Sequence, residues 1–299
     1  MRIATTQLFT QSVDAMLEKQ RQVSETELQV ASGKRILRPS DDPSAAVRVL
    51  DLDEVQQRLA QYQRNADAAT ARLDQEETAL LSVENLLQRV RELAVQGANG
   101  TLSTNDRRAI AAEVREHMQS FLELANSRDA NGEYLFSGFQ SLTEPLSHDG
   151  AGTFTYSGDT GQRTLKIGDT REVAVGDPGT IFMDFAAAGG GTTNVGEVLY
   201  DLAANLEAGS AYPDAITDID TAFAQLFDTR ARIGARMNAI DDQKQANDAF
   251  DLATAQVKST LEDLDYAEAI SRFNQQLAAL QASQQAFIRI QDLSLFNFL

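Results

Sequence analysis

The chain has 299 residues, enough for two or three domains, yet only 7% are aromatic and none is Trp. Such a composition suits elongated helical packing better than a wide globular core. A net charge of −18 argues against nucleic acid as a partner, because phosphate binding needs clustered Lys and Arg. The lack of Cys removes disulfides and thiolate metal sites, and no stretch reaches the length of a membrane span.

The opening Met1-Arg2-Ile3-Ala4-Thr5-Thr6 has no basic patch followed by an apolar run, so no cleaved secretory signal is expected. Residues 3–31 read as a helix with Phe9, Val13, Met16, Val23 and Val30 on one face, interrupted by Gln20 and Glu27. The stripe is weak, and such a helix is marginal alone in water. It ends at Ser32-Gly33, where Gly33 can take a left-handed cap. Further on, Asp42 followed by Pro43 reads as an N-cap with Pro at the first helical position. Asp41 and Asp42 as metal ligands are the weaker alternative, since two adjacent carboxylates rarely hold one hard cation unaided.

Residues 52–97 carry the strongest pattern in the chain. Steps of three and four give Leu52, Val55, Leu59, Tyr62, Ala66, Ala69, Leu73, Glu76, Leu80, Val83, Leu87, Val90, Ala94 and Gly97. Only Glu76 and Gly97 break an apolar repeat of 3.5 residues, the seam of a coiled coil. At 1.5 Å per residue this helix would be roughly 70 Å long, a rod that needs partner helices along its stripe. After Gly97-Ala98-Asn99-Gly100, Ser103 and Asp106 form an approximate capping box for a third, antiparallel helix. Its face is Ile110, Val114, Phe121 and Leu124, with His117 as a packed helix residue. Asn99-Gly100-Thr101 matches a glycosylation sequon that has no secretory context to support it.

The pattern then changes. Residues 134–139 look like a strand, and Phe154 with Tyr156, Leu165 with Ile167, and Val173 with Val175 alternate between Gly/Asp turns. That spacing predicts a three-stranded meander. Gly189-Gly190-Gly191 reads as a flexible connection; without the Lys-Ser/Thr of a P-loop it is no phosphate cradle. From about residue 216 the heptad returns through Ile219, Phe223, Leu226, Ile233, Met237 and Ile240. The register is expected to slip at 247–250, resume with Phe250, Val257, Leu261 and Leu264, and slip again. Ile270, Phe273, Leu277, Leu280 and Phe287 continue it, and the apolar end, including Leu295, Phe296 and Leu299, should be buried against something.

The organisation is nested: mainly α with a β insertion, an elongated antiparallel helical bundle or coiled-coil rod formed by both chain ends, plus a small all-β domain. The expected divisions are 1–43 with 265–299, a terminal helical part disordered in the monomer; 44–130 with 215–264, the rod; and 131–214, the β-rich part. The rod core would rest on Leu52, Leu59, Leu73, Leu80, Leu87, Leu226, Ile233 and Ile240. Subunit assembly would fall to Phe9, Val13, Met16, Val23, Val30, Ile270, Phe273, Leu277, Leu280, Phe287, Leu295, Phe296 and Leu299.

Ser32-Gly33-Lys34-Arg35-Ile36, followed by Asp41-Asp42-Pro43, resembles the signature of the bacterial flagellin superfamily near its N-terminus. Pro43 after the acidic pair, Asn99-Gly100-Thr101-Leu102, and Asn131-Gly132-Glu133-Tyr134-Leu135-Phe136-Ser137-Gly138 are similar to its hook–filament junction members rather than to filament flagellins. The likeness covers 1–140 and about 215–299. It implies export without a cleaved signal through the flagellar apparatus, an extracellular address on the flagellum, and terminal helices forming an inner tube. It also implies partners: a proximal hook-associated junction protein, flagellin, further copies in a ring, and a cytoplasmic export chaperone. A filament-forming flagellin is the nearest alternative, and a cytoplasmic coiled-coil scaffold dimer the alternative from another class. Catalysis is disfavoured, because two isolated histidines and solvated carboxylates suggest no convergent site, and no cofactor is expected.

Overall fold

The computed structural model describes residues 2–296, with side chains at Gln7 and from 9 to 289. Six helices are described: α1 (Arg2–Ser32), α2 (Pro43–Gly97), α3 (Thr104–Ala125), α4 (Val195–Glu207), α5 (Asp214–Glu262) and α6 (Tyr266–Phe296). Between α3 and α4 lie strands β1 (Leu146–His148), β2 (Phe154–Tyr156), β3 (Thr164–Lys166), β4 (Glu172–Ala174), β5 (Phe185–Ala186) and β6 (Thr192–Thr193). The chain is mainly α with a β-containing insertion. It divides into two compact units, 59–248 and the combined ends 1–58 with 249–299, and α2 and α5 contribute to both.

The unit 59–248 holds the apolar core, a cluster reaching in sequence from Ala66 to Ile240. From Tyr62 onward every seam position of α2 is buried, Glu76 and Gly97 included. A second row, Ala79, Leu86 and Leu93, is buried too. The buried face is therefore wider than a coiled-coil seam, as expected of a helix that packs on more than one neighbour. On one side Arg89 pairs with Glu113 of α3 at 2.7 Å. On another, Arg91 meets Asp220 at 2.7 Å, Arg230 meets Glu77 at 2.6 Å, and Lys244 meets Asp67 at 2.7 Å. Partners that rise on one helix while falling on the other make α5 antiparallel to α2. Ser103 caps α3 with the reciprocal Asp106 box.

The expected register slip in α5 is absent. Leu226, Ile233, Ile240, Asn247 and Thr254 are all buried at unbroken heptad steps, whereas Phe250 and Val257 stand 57% and 51% exposed. Polar side chains keep the stripe because their hydrogen-bonding groups are met by backbone carbonyls. Asn247 Nδ2 donates to Ile167 O at 3.0 Å, and Thr254 Oγ1 donates to Phe250 O at 2.8 Å. The second expected slip is a helix break, since α5 ends at Glu262 and Asp265 caps α6.

The insertion is three separate antiparallel hairpins, β1–β2, β3–β4 and β5–β6, rather than a meander of three strands. The segment 134–139 is not a strand. Its backbone bonds go to scattered partners, Tyr134 N to Ser141 O and Leu135 N to Ser127 O, while Phe136 is fully buried edge-on to Phe182. Helix α4, absent from the expected elements, packs closely along α3. Gly196 in its first turn lets the Phe154 ring lie against the helix backbone, where a Cβ would come within 2.4 Å of the ring.

Glu76 joins seam to insertion. Its Oε1 accepts the Asp177 N–H at 2.8 Å, and Asp177 in turn pairs with Arg236 of α5 and accepts Gln162 Nε2 at 2.6 Å. Burial, with the Asp177 carboxylate alongside, pushes the Glu76 carboxyl up to about 8.

Candidate functional site

In the unit formed by 1–58 and 249–299, the signature residues build a clasp between two helix breaks. Gly33 leaves α1 at φ +72°, and its carbonyl accepts the Leu264 N–H at 2.9 Å. Arg35 N–H donates to Glu262 O at 2.7 Å, and the Arg35 guanidinium reaches Leu261 O at 2.8 Å. Lys34 pairs with the Glu262 carboxylate. A Cβ on Gly33 would sit 2.8 Å from Tyr266 Oη, so the glycine serves both the left-handed turn and the close approach of α6.

Asp41 and Asp42 shape the exit from this turn. Asp41 Oδ2 accepts the N–H groups of Arg38 and Leu37, at 2.8 and 3.1 Å. Asp42 Oδ1 accepts the Ala45 N–H at 3.0 Å, the N-cap expected ahead of Pro43. That backbone donor, helped by the Arg35 guanidinium, holds the Asp42 carboxyl below its usual range. Among the described residues no three His, Asp or Glu side chains converge on a common metal position. Ser32 sits at the end of α1, its hydroxyl donating to Gln29 O at 3.2 Å.

Helices α1 and α6 pair along their length. Val13, Met16, Val23 and Val30 from α1, with Phe273, Leu280 and Phe287 from α6, are buried or half-buried on the paired faces. Phe9 and Phe287 rings stand 5.1 Å apart, and Thr26 Oγ1 donates to Gln276 Oε1 at 2.7 Å. Ile270 and Leu277 instead face outward. Leu295 and Phe296 are helical in backbone, and Leu299 lies outside the described residues. Leu73, Leu80, Leu87, Leu226, Ile233 and Ile240 are fully buried, and Leu52 and Leu59 half-buried.

Sequence reasoning missed Glu262 and Tyr266 on the far side of the clasp and read Leu264 only as a seam position. A signal was present: Asp265 followed three residues later by Glu268 is a helix-start pattern at the place where only a second slip of the repeat was expected. It also missed Leu17, Leu28, Val47, Leu50, Leu252 and Ile288, all exposed in this same unit. Among the described residues, none of the core cluster comes from it. A helical unit with that much bare apolar surface is the profile of a surface meant to be covered.

The clasp, the paired ends and the inserted hairpins define a helical protein whose two chain ends fold together and whose β-hairpins are inserted between them in sequence. Residues 3–141 match the bacterial flagellin N-terminal helical region, and 216–299 match the flagellin C-terminal helical region. Flagellar hook-associated protein 3 of Escherichia coli strain K12 is 30% identical over 319 aligned residues, covering 99% of both chains. A flagellar hook-associated protein structure from Vibrio parahaemolyticus superposes with TM-score 0.68 at 28% identity, covering 75% of this chain and all of that one. Hook-associated protein-3 from Legionella pneumophila, at 21% identity and TM-score 0.64, shares the fold over 70% of this chain and 98% of its own. The chain belongs to the flagellar hook-associated protein 3 family of the flagellin superfamily.

Proposed function

We propose that this chain is the adaptor on the distal side of the hook–filament junction, binding a proximal hook-associated protein on one side and flagellin on the other. The observation that carries the reading is the paired α1–α6 layer, which leaves Leu17, Leu28, Ile270, Leu277 and Ile288 bare while the core of 59–248 is complete. Further copies in a ring, and the two neighbours, would cover that surface. In this reading 1–43 with 265–299 form the inner layer, 44–130 with 215–264 the helical layer around it, and 131–214 the outward insertion.

The chain would reach this extracellular position through the flagellar export apparatus without a cleaved signal, its C-terminal helix held beforehand by a cytoplasmic chaperone. Its work is mechanical, with no catalytic step. Deleting the gene should leave cells with hooks but shedding unpolymerised flagellin; normal filaments in that strain would sink the reading. A filament-forming role predicts that purified chain grows long filaments from its own seeds, whereas the adaptor stops at a ring.

A further inference from the structure

Two Asn-Gly pairs, Asn99-Gly100 and Asn131-Gly132, stand in surface loops with both asparagines exposed, and the fold treats them differently. The side-chain carbonyl of Asn99 accepts two hydrogen bonds from Thr101, from the backbone N–H at 3.1 Å and from Oγ1 at 2.9 Å. A bond to the residue two places on folds the asparagine side chain over the intervening peptide, here the Gly100 nitrogen. The oxygen of that peptide group is Asn99 O. It accepts the Arg107 guanidinium at 3.1 Å and the Leu102 N–H at 3.3 Å. Gly100 has open space in place of a side chain, and its N–H has no hydrogen-bond partner among the described residues.

These donors stand where charge develops in an intramolecular cyclisation. The attacking species is the deprotonated Gly100 amide, whose negative charge is shared with Asn99 O, beneath Arg107. As its nitrogen adds to Asn99 Cγ, charge moves onto Oδ1, where both Thr101 donors wait. Preplaced donors at a developing oxyanion lower the barrier to its formation. We propose that Asn99 is a self-modification site, at which the native loop promotes closure to a succinimide. The Gly100 N–Cγ bond forms and the Cγ–Nδ2 bond breaks. Ammonia leaves with a proton equivalent to the one lost from Gly100. One water then opens the imide at either carbonyl, giving isoaspartate or aspartate. As isoaspartate, the product turns the Asn99 carbonyl beside Arg107 into a carboxylate and adds one methylene to the backbone of the α2–α3 loop.

Asn131 lacks this arrangement. The Gly132 N–H is tied to Asp129 O at 3.0 Å. The Asp129 carboxylate binds the N–H groups of Asn131 and Glu133, at 2.8 and 3.0 Å, and pairs with Arg72 at 3.1 Å, so the loop around Gly132 is held by bonds of its own and, among the described residues, offers no donor to the Asn131 side-chain oxygen. The inference rests on this loop alone and is independent of the flagellar reading.

The test is peptide mapping of the full-length chain aged in mildly alkaline buffer, native and in urea. In the native chain Asn99 should lose ammonia several-fold faster than Asn131, with isoaspartate in excess. In urea the two rates should converge, since both sites are Asn-Gly. Thr101→Val should slow Asn99 several-fold in the native chain and leave its urea rate unchanged, and Gly100→Ala should slow it in both. Asn131 reacting as fast as Asn99 in the native chain, a preference that survives urea, or a native rate unmoved by Thr101→Val would each overturn the proposal.

Discussion

Placing one methyl on Gly33 would meet two objections at once. The residue sits at φ +72°, and the new carbon would press on Tyr266 Oη at 2.8 Å. Gly33→Ala should destabilise the combined-ends unit by about 1–2 kcal/mol. Amide exchange read at Leu264 and Arg35, the two backbone donors of the clasp, should rise, while exchange in α3 and α4 stays as it was. Glu76 makes a prediction of a different kind. Its carboxyl is pushed up to about 8 in the folded chain, against an ordinary 4.5 when unfolded. Between those values the folded state holds a proton that the unfolded state has released. Stability therefore falls as pH rises from about 4.5 towards 8, by up to about 1.4 kcal/mol per pH unit from this group. Glu76→Gln keeps an oxygen for the Asp177 N–H and has nothing to ionise. Denaturant midpoints of this variant should lose that downward slope and exceed the parent above neutral pH. A parallel decline in both proteins would show that Glu76 is ionised in the fold.

Among the elements, the most periodic were the most legible. In α2 the apolar steps identify the buried positions from Tyr62 onward, because side chains every 3.5 residues share one helix face. The row Ala79, Leu86 and Leu93 was less legible, since it answers to a second neighbour rather than to the repeat. In α5 apolarity points the wrong way. Phe250 and Val257 attract the seam towards themselves, yet Asn247 and Thr254 hold the buried heptad by bonding to backbone oxygens. Two substitutions separate the registers. Asn247→Ala removes the donor to Ile167 O and should cost roughly 1–3 kcal/mol, with faster exchange in the β3–β4 hairpin. Phe250→Ala should change the stability of the isolated chain by less than about 0.5 kcal/mol, as exposed positions do; a core-sized loss would restore the slipped register. Helix α4 carries its own signature, Asn194 then Glu197 followed by Val198, Leu199, Leu202 and Leu206. The glycine run just before it masks that pattern as a connection. The clasp was half legible: the N-terminal motif is compact in sequence, but its receivers lie more than two hundred residues away.

At the scale of the chain, burial and bare apolar surface are unevenly shared. The cluster from Ala66 to Ile240 is complete within 59–248, while the combined ends keep Leu50, Leu252 and Ile288 more than half exposed. Limited proteolysis of the purified chain should trim both ends and leave a resistant core close to 59–248. Equal protection of 10–30 and of 80–120 would contradict that order of stability. The clasp and the α1–α6 pairing also set an order in time. Thr26 is separated from Gln276 by 250 positions, and Lys34 from Glu262 by 228. Contacts of such span form late, because nearly the whole chain must be present and its ends brought together before any of them is gained. Helix α1, first in sequence, must therefore wait for α6, the last helix, and a chain delivered through a narrow passage from its N-terminus would leave it with its leading helix unpaired.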